Sequence, residues 1–121
     1  MHHIGIDIIE IARIQSAIDR WGESFLHRVY TEAELKLYRK KLSSLAARFA
    51  GKEAVMKALG TGAEGISWRE IEILANPNGQ PVVRLHGKAQ IKANGMGLTN
   101  LAISLSDSRE YAIASVISGT E

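Results

Sequence analysis

The chain has 121 residues, 45% of them apolar and 23% charged, with a formal net charge of +2 and no cysteine. That length fits one domain over residues 1–121, able to bury roughly two thirds of its unfolded surface. The missing cysteines exclude disulfides and thiol chemistry and fit a cytoplasmic protein. No apolar run is long enough for a membrane span, no signal-peptide pattern opens the chain, and a mild positive charge permits an acidic or phosphate-bearing partner without requiring nucleic acid.

The stretch HHIGIDIIEI, from His2, alternates Ile4, Ile6 and Ile8 with Gly5, Asp7 and Ile9, which predicts a strand. The spacing of Ile11, Ile14, Ala17, Ile18 and Trp21 predicts a helix. Thr31 with Glu34 three residues on is a capping-box signature, and a helix to about Lys41 follows. A long helix is expected from Ser43 or Ser44 to Leu59, with the glycine-rich LGTGAEG as its exit.

In the second half, WREIEIL (Trp68–Leu74) and PVVRL (Pro81–Leu85) read as a hairpin about the NPNG turn. GKAQIKANGMG reads as a short helix closed by glycines, and NLAISLS and YAIASVI as two strands joined by DSRE. The expected order is β-α-α-α-β-β-α-β-β. The short links between strands favour an α+β fold, a mainly antiparallel sheet packed against the long helix.

That helix poses the main question. Around its axis Leu45, Phe49, Val55, Met56 and Leu59 share an arc with Arg48 and Lys52, while Ala46, Ala50, Glu53 and Lys57 lie on the next face. No face is plainly polar, so the helix should be covered on most sides. Buried charges need partners, a metal or a ligand. Glu53 and Lys57 could be a simple i,i+4 ion pair, and Arg48 and Lys52 could snorkel past their apolar stems. Equally, three cations around Gly51 could receive a phosphate that approaches the backbone closely.

Asp7 stands alone among isoleucines. It is either a solvated carboxylate or a hard oxygen ligand for a divalent cation such as Mg²⁺, which often takes one or two protein carboxylates. Glu53 could complete the pair if strand and helix pack together. The four histidines show no metal-ligand spacing, and the alternating Ser104, Ser106 and Ser108 have no nucleophile motif around them, so these serines are expected to face solvent.

Taken together, GIDIIEIARI, RVYTEAEL, RFAGKEAVMKALGTG, IEILANPNGQP and SLSDSREYAIA resemble the holo-acyl-carrier-protein synthases. These are the small, bacterial-type members of the 4'-phosphopantetheinyl transferase superfamily. The likeness runs over nearly the whole chain in the family's order. It implies an Mg²⁺-dependent enzyme of fatty acid synthesis. Such an enzyme moves the phosphopantetheine arm of coenzyme A onto a serine of apo-acyl carrier protein and releases 3',5'-ADP.

By the same resemblance, Asp7 and Glu53 are metal ligands, and Lys57, with Lys52, adds charge near the pyrophosphate. Arg48 contacts a nucleotide phosphate. Asn78, Gly79 and Pro81 lie on the adenine side, and Ser108 supplies a hydroxyl. Arg13 and Arg20, seven residues apart on one helix face, dock the acidic carrier, although Glu23 stands where a further basic residue is usual. The family's homotrimer would place its sites between subunits. Asp107 departs from a common histidine, and an aspartate there would repel phosphate unless a cation intervenes. Glu53 is the candidate general base, directly or through a bound water.

Three rival readings remain at this stage. One is a transferase of the same superfamily serving a polyketide or peptide synthase. Another is a non-catalytic module that binds coenzyme A or the carrier. A nucleic-acid-binding domain is the third, and it is disfavoured by the 6% aromatic content.

Overall fold

The computed structural model describes residues 1–60 and 64–120. Its elements are β1 (His2–Glu10), α1 (Ile11–Trp21), α2 (Glu23–Val29), α3 (Glu32–Tyr38) and α4 (Leu42–Leu59). A 3-10 turn (Trp68–Glu70), β2 (Ile71–Ala75), β3 (Pro81–Leu85), α5 (Gly87–Gly95), β4 (Leu98–Asp107) and β5 (Tyr111–Thr120) follow. The expected α+β, antiparallel architecture is what the chain adopts. The strands form two sheets: three strands in the order β1-β5-β4, and the separate hairpin β2-β3.

Small residues let helix and sheet approach. The inward side chains of the central strand β5, Ala112, Ala114 and Val116, are fully buried, and α4 lies across β1 and β5. Gly5 is the tightest point. A Cβ there would sit 1.8 Å from the Ala54 carbonyl oxygen, so only glycine lets the strand touch the helix backbone. Asp7, two residues on and on the same strand face, pairs in register with Ala114.

The long helix is covered on nearly all sides, as its lack of a polar face implied; its buried residues run from Leu45 to Leu59 and include Arg48, Gly51 and Lys52. Gly60 closes it at φ 76°, with its N–H on the carbonyls of Met56 and Lys57. Of the glycine-rich exit, Thr61 to Ala63 lie outside the described residues. Gly51 is answered by packing. A Cβ there would meet Ile73 Cδ1 at 2.6 Å and Ile103 Cδ1 at 3.2 Å, so close side-chain approach from the two sheets, rather than ligand access, accounts for the glycine.

Two boundaries differ from expectation. Glu23–Val29 forms a helix that the sequence pattern did not reveal. It is only seven residues long and starts at Gly22 (φ 57°) without a side-chain cap, so its one buried pair, Leu26 and Val29, is too short a signal. Trp68–Glu70 is a 3-10 turn rather than the start of a strand, because Ser67 and Glu70 cap it reciprocally. The Thr31–Glu34 capping box is present as predicted. Glu70 goes on to cap α5, accepting from the backbone N–H groups of Lys88 and Ala89.

Candidate active site

Strand β1 and helix α4 bring Asp7, Glu53 and Lys57 together. Lys57 extends from the last turn of α4 to donate to the Ile6 carbonyl at 2.9 Å and to Asp7 Oδ1 at 3.1 Å. Among the described residues its ion pair is therefore with the strand, not with Glu53 along its own helix. Burial raises the Glu53 carboxyl above its ordinary range, and the negative charge of Asp7 pushes the same way, with Lys57 opposing. Asp7 and Glu53 line one pocket of about 310 Å³ together with Arg13, Ile14, Ala17, Phe25 and Phe49.

The remaining predicted residues fall elsewhere. Arg48 is buried, lies 3.8 Å from the Tyr38 ring, and donates to the Tyr38 hydroxyl at 2.8 Å and to the Ile73 carbonyl at 3.2 Å. Lys52 has no exposed surface. It donates to Glu34 at 2.8 Å and to the carbonyls of Ile71 and Trp68. Burial pushes its ammonium below the usual lysine range, and Glu34 pulls it back. Neither residue snorkels to solvent. Both turn toward β2, which pairs on one side only. Arg48 and Lys52 bond its free-edge carbonyls, and Glu34 accepts from the Ile73 N–H at 2.8 Å. Side chains thus stand in for a missing strand along an edge that would otherwise be open. The expectation that Lys52 adds charge at a pyrophosphate does not fit this enclosed position.

Asn78 and Gly79 form the exposed β2–β3 turn, where Gly79 adopts φ 90°. Pro81 lines a second pocket of about 580 Å³ with Gln80 and the β4 residues Ile103 to Leu105. The two pockets share no lining residue. Ser108 begins the β4–β5 turn and accepts from the Tyr111 N–H at 3.1 Å; Asp107 beside it is exposed. Arg13 and Arg20 are both exposed on α1, and Ser104 and Ser106 face outward. The pocket walls Phe25 and Phe49, and the buried partner Glu34, were not singled out from the sequence; the capping box was the one signal at Glu34, and it pointed to a helix start.

Among the described residues no group of three or more His, Cys, Asp or Glu side chains is placed to hold a metal. The pair Asp7–Glu53 nevertheless suits Mg²⁺, which completes its sphere with waters and substrate phosphates. Of the two carboxylates only Asp7 is bonded by the Lys57 ammonium, so a divalent cation between them would offset the Asp7 repulsion that, after burial, helps to raise Glu53.

Two carboxylates, an ammonium bonded to one of them and Arg13 in the same pocket lining are thus gathered on an α+β frame, a set suited to phosphoryl chemistry. The model of the 4'-phosphopantetheinyl transferase superfamily matches residues 3–115. The holo-[acyl-carrier-protein] synthase of Dehalococcoides mccartyi (strain CBDB1) is 55% identical over 117 residues, covering 97% of this chain and 98% of that one. Among solved structures, the Helicobacter pylori holo-[acyl-carrier-protein] synthase in complex with coenzyme A is 36% identical with a TM-score of 0.87 over 96% of this chain and 99% of that one. The Neisseria meningitidis synthase is 34% identical with a TM-score of 0.89, covering 98% of each. The chain belongs to the 4'-phosphopantetheinyl transferase superfamily, among the holo-[acyl-carrier-protein] synthases.

Proposed function

We propose that this enzyme transfers the 4'-phosphopantetheine arm of coenzyme A to a serine of apo-acyl carrier protein, releasing 3',5'-ADP and readying the carrier for fatty acid synthesis. The observation that carries the reading is that Asp7 and Glu53 line one pocket with Arg13, and that Lys57 bonds Asp7 beside it. The Helicobacter pylori relative was solved with coenzyme A, which supports the choice of co-substrate.

The carrier serine oxygen bonds to the phosphorus next to pantetheine. The bond from that phosphorus to the bridging pyrophosphate oxygen breaks, and 3',5'-ADP departs with that oxygen. Glu53 takes the serine proton at a carboxylate oxygen; a carboxyl raised by burial is closer to the working pH and so a better base. Lys57, half exposed and tethered to β1, faces the charge that builds on the pyrophosphate. Asp7 and Glu53 would hold Mg²⁺, which when bound neutralises the phosphate oxygens. Lys52 leaves the phosphate-binding set, since it is fully enclosed and bonded to Glu34 and to the carbonyls of Trp68 and Ile71, and Arg48 is buried with Nε on the Ile73 carbonyl and an Nη on the Tyr38 hydroxyl.

The nucleotide-side residues Asn78, Gly79, Pro81 and Ser108 belong to a neighbouring copy's half of the site in this reading. Support comes from the separation of the two pockets and from the open face of the three-stranded sheet. There Ile4, Ile6 and Ile8 are 67%, 56% and 59% exposed, beside Ile113 and Ile117. An apolar patch of that kind marks an interface, and a homotrimer with sites between subunits accounts for it. Arg13 and Arg20 receive the acidic carrier, and the reaction belongs in the cytoplasm. No helix among the described residues is long and apolar enough to cross a membrane.

The reading is tested by following 3',5'-ADP with coenzyme A, Mg²⁺ and apo-carrier present. Release should require all three and stop on chelation; no release with all three present would overturn it.

A further inference from the structure

We propose that Lys57 holds down the affinity of the Asp7–Glu53 pair for a divalent cation until a phosphate-bearing ligand draws the ammonium away, so that cation and nucleotide bind this site as mutually dependent partners. The inference rests on the phosphopantetheinyl-transfer reading above and adds to it a rule for how that site fills.

The geometry sets the ammonium in competition for the carboxylates. Lys57 Nζ lies 3.1 Å from Asp7 Oδ1, an oxygen of the kind a hard cation takes. It acts on Glu53 as well, where its charge opposes the combined push of burial and Asp7. Ionised, Asp7 and Glu53 carry two negative charges, and the lysine balances one of them. A divalent cation arriving alone therefore meets a site of net charge one rather than two, and the ammonium beside it repels it.

The same lysine is placed to change partners. Its shorter bond, at 2.9 Å, is to the Ile6 carbonyl. β1 is an edge strand that pairs with β5 alone, and this carbonyl anchors the ammonium independently of Asp7. The Lys57 side chain is 52% exposed and that of Asp7 20%, so the ammonium has open space to move into and the carboxylate has little. An ammonium is a compact charge with three rotatable donors on a flexible stem. It can keep the Ile6 carbonyl and exchange Asp7 for a phosphate oxygen. Asp7 stays in place, because two residues away Gly5 lies against the Ala54 carbonyl and pins β1 to α4.

Each ligand then favours the other. A phosphate that engages Lys57 returns the full charge of Asp7 to the pair and brings oxygens of its own for the cation. A cation at Asp7 frees the ammonium for the phosphate. By linkage the two effects are one coupling, equal in both directions.

Mn²⁺, a divalent cation that carboxylates bind well and that has a paramagnetic signal, is the probe. Its affinity is read without turnover, from the loss of the free-ion resonance as protein is added. The titration is run without nucleotide and again with coenzyme A but no carrier, after subtracting the Mn²⁺ that coenzyme A holds in solution. Lys57→Met should bind Mn²⁺ alone about fivefold more tightly than the unaltered protein. Its Kd for coenzyme A, by calorimetry, should rise about tenfold, and the tightening of Mn²⁺ by coenzyme A should shrink. A lysine with a merely structural role would weaken both ligands. Lys57→Arg, which keeps the charge, should bind Mn²⁺ no more tightly than the unaltered protein, and Asp7→Asn should lose Mn²⁺. If Lys57→Met does not fold, Lys57→Gln carries the same expectations. Mn²⁺ affinity unchanged or weakened on loss of the lysine charge would overturn the inference, as would Mn²⁺ binding that survives Asp7→Asn. Failure of the unaltered protein to form holo-carrier would overturn the transferase reading alone, and the opposed shifts would still uphold the role of Lys57.

Discussion

Lys52 Nζ lies 2.8 Å from Glu34 Oε1, and neither side chain has any exposed surface. Every polar atom of the pair has a partner: Glu34 also accepts from the backbone N–H of Thr31 and of Ile73, and Lys52 from α4 reaches the carbonyls of Trp68 and Ile71. A buried pair gains little over an apolar replacement, but losing one member strands the other. Lys52→Met or Glu34→Leu alone should each cost about 3–5 kcal/mol in urea unfolding. The double substitution should cost clearly less than the sum of the two, since the residues are in contact. Single changes within about 1 kcal/mol of the unaltered protein would contradict the role given to the pair.

Two glycines on the faces of this packing should respond differently to the same change. At Gly5 a methyl group collides with the backbone of Ala54, which cannot yield without parting β1 from α4. Gly5→Ala should cost about 3 kcal/mol or more and loosen the placement of Asp7 against Glu53. At Gly51 the collision is with the mobile end of Ile73, and alanine gains about 1 kcal/mol of helix propensity. Gly51→Ala should therefore stay within about 1 kcal/mol of the unaltered protein, while Gly51→Leu should not. Thermal melts of the three variants check this ordering.

The same helix shows what a sequence can and cannot disclose. Arg48, Lys52, Glu53 and Lys57 were all visible as charges on a helix without a polar face, and the helix is indeed enclosed. Pattern alone could not say which charges served the fold. Residues 48 and 52 lie about one turn apart, as do 53 and 57, and the two pairs point about 140° apart around the axis. That rotation sends the first pair to the free edge of β2 and the second to β1, and both destinations are set by tertiary contacts far away in sequence. The strands and the Thr31 cap were legible because their signals are local. Helix α2 was not, because seven residues give too few turns for a period.

Acid should weaken one particular cap. The backbone N–H of Ser67 holds the Glu70 carboxyl below its ordinary value, with the N–H groups of Lys88 and Ala89 acting the same way and partial burial opposing. A depressed carboxyl stabilises the fold fully above its unfolded value of 4.5, and that contribution disappears as pH falls through the lower folded value. Glu70→Ala should cost about 1 kcal/mol at neutral pH. Melts repeated downward from pH 6 should show the gap between variant and unaltered protein closing below pH 4.5; a gap independent of pH would count against the cap.

The open sheet face predicts assembly. Ile6 pairs in register with Ser115 at the middle of that face, and a charge placed there has no partner. Ile6→Asp should turn a trimer into monomers in light scattering and lower the transfer rate at least tenfold, because the two half-sites separate; a tenfold loss is about 1.4 kcal/mol of transition-state stabilisation. A monomeric unaltered protein with full activity would contradict the shared site.

The most direct test weighs the carrier. Apo-acyl carrier protein, coenzyme A and Mg²⁺ are incubated with the unaltered enzyme and with Glu53→Gln, and intact mass is followed over time. The account predicts that the carrier gains one phosphopantetheine arm with the unaltered enzyme, and that Glu53→Gln slows this by about 10²-fold or more even at saturating Mg²⁺. No mass gain with the unaltered enzyme would contradict the function, and an undiminished rate in Glu53→Gln would contradict both roles assigned to that carboxylate.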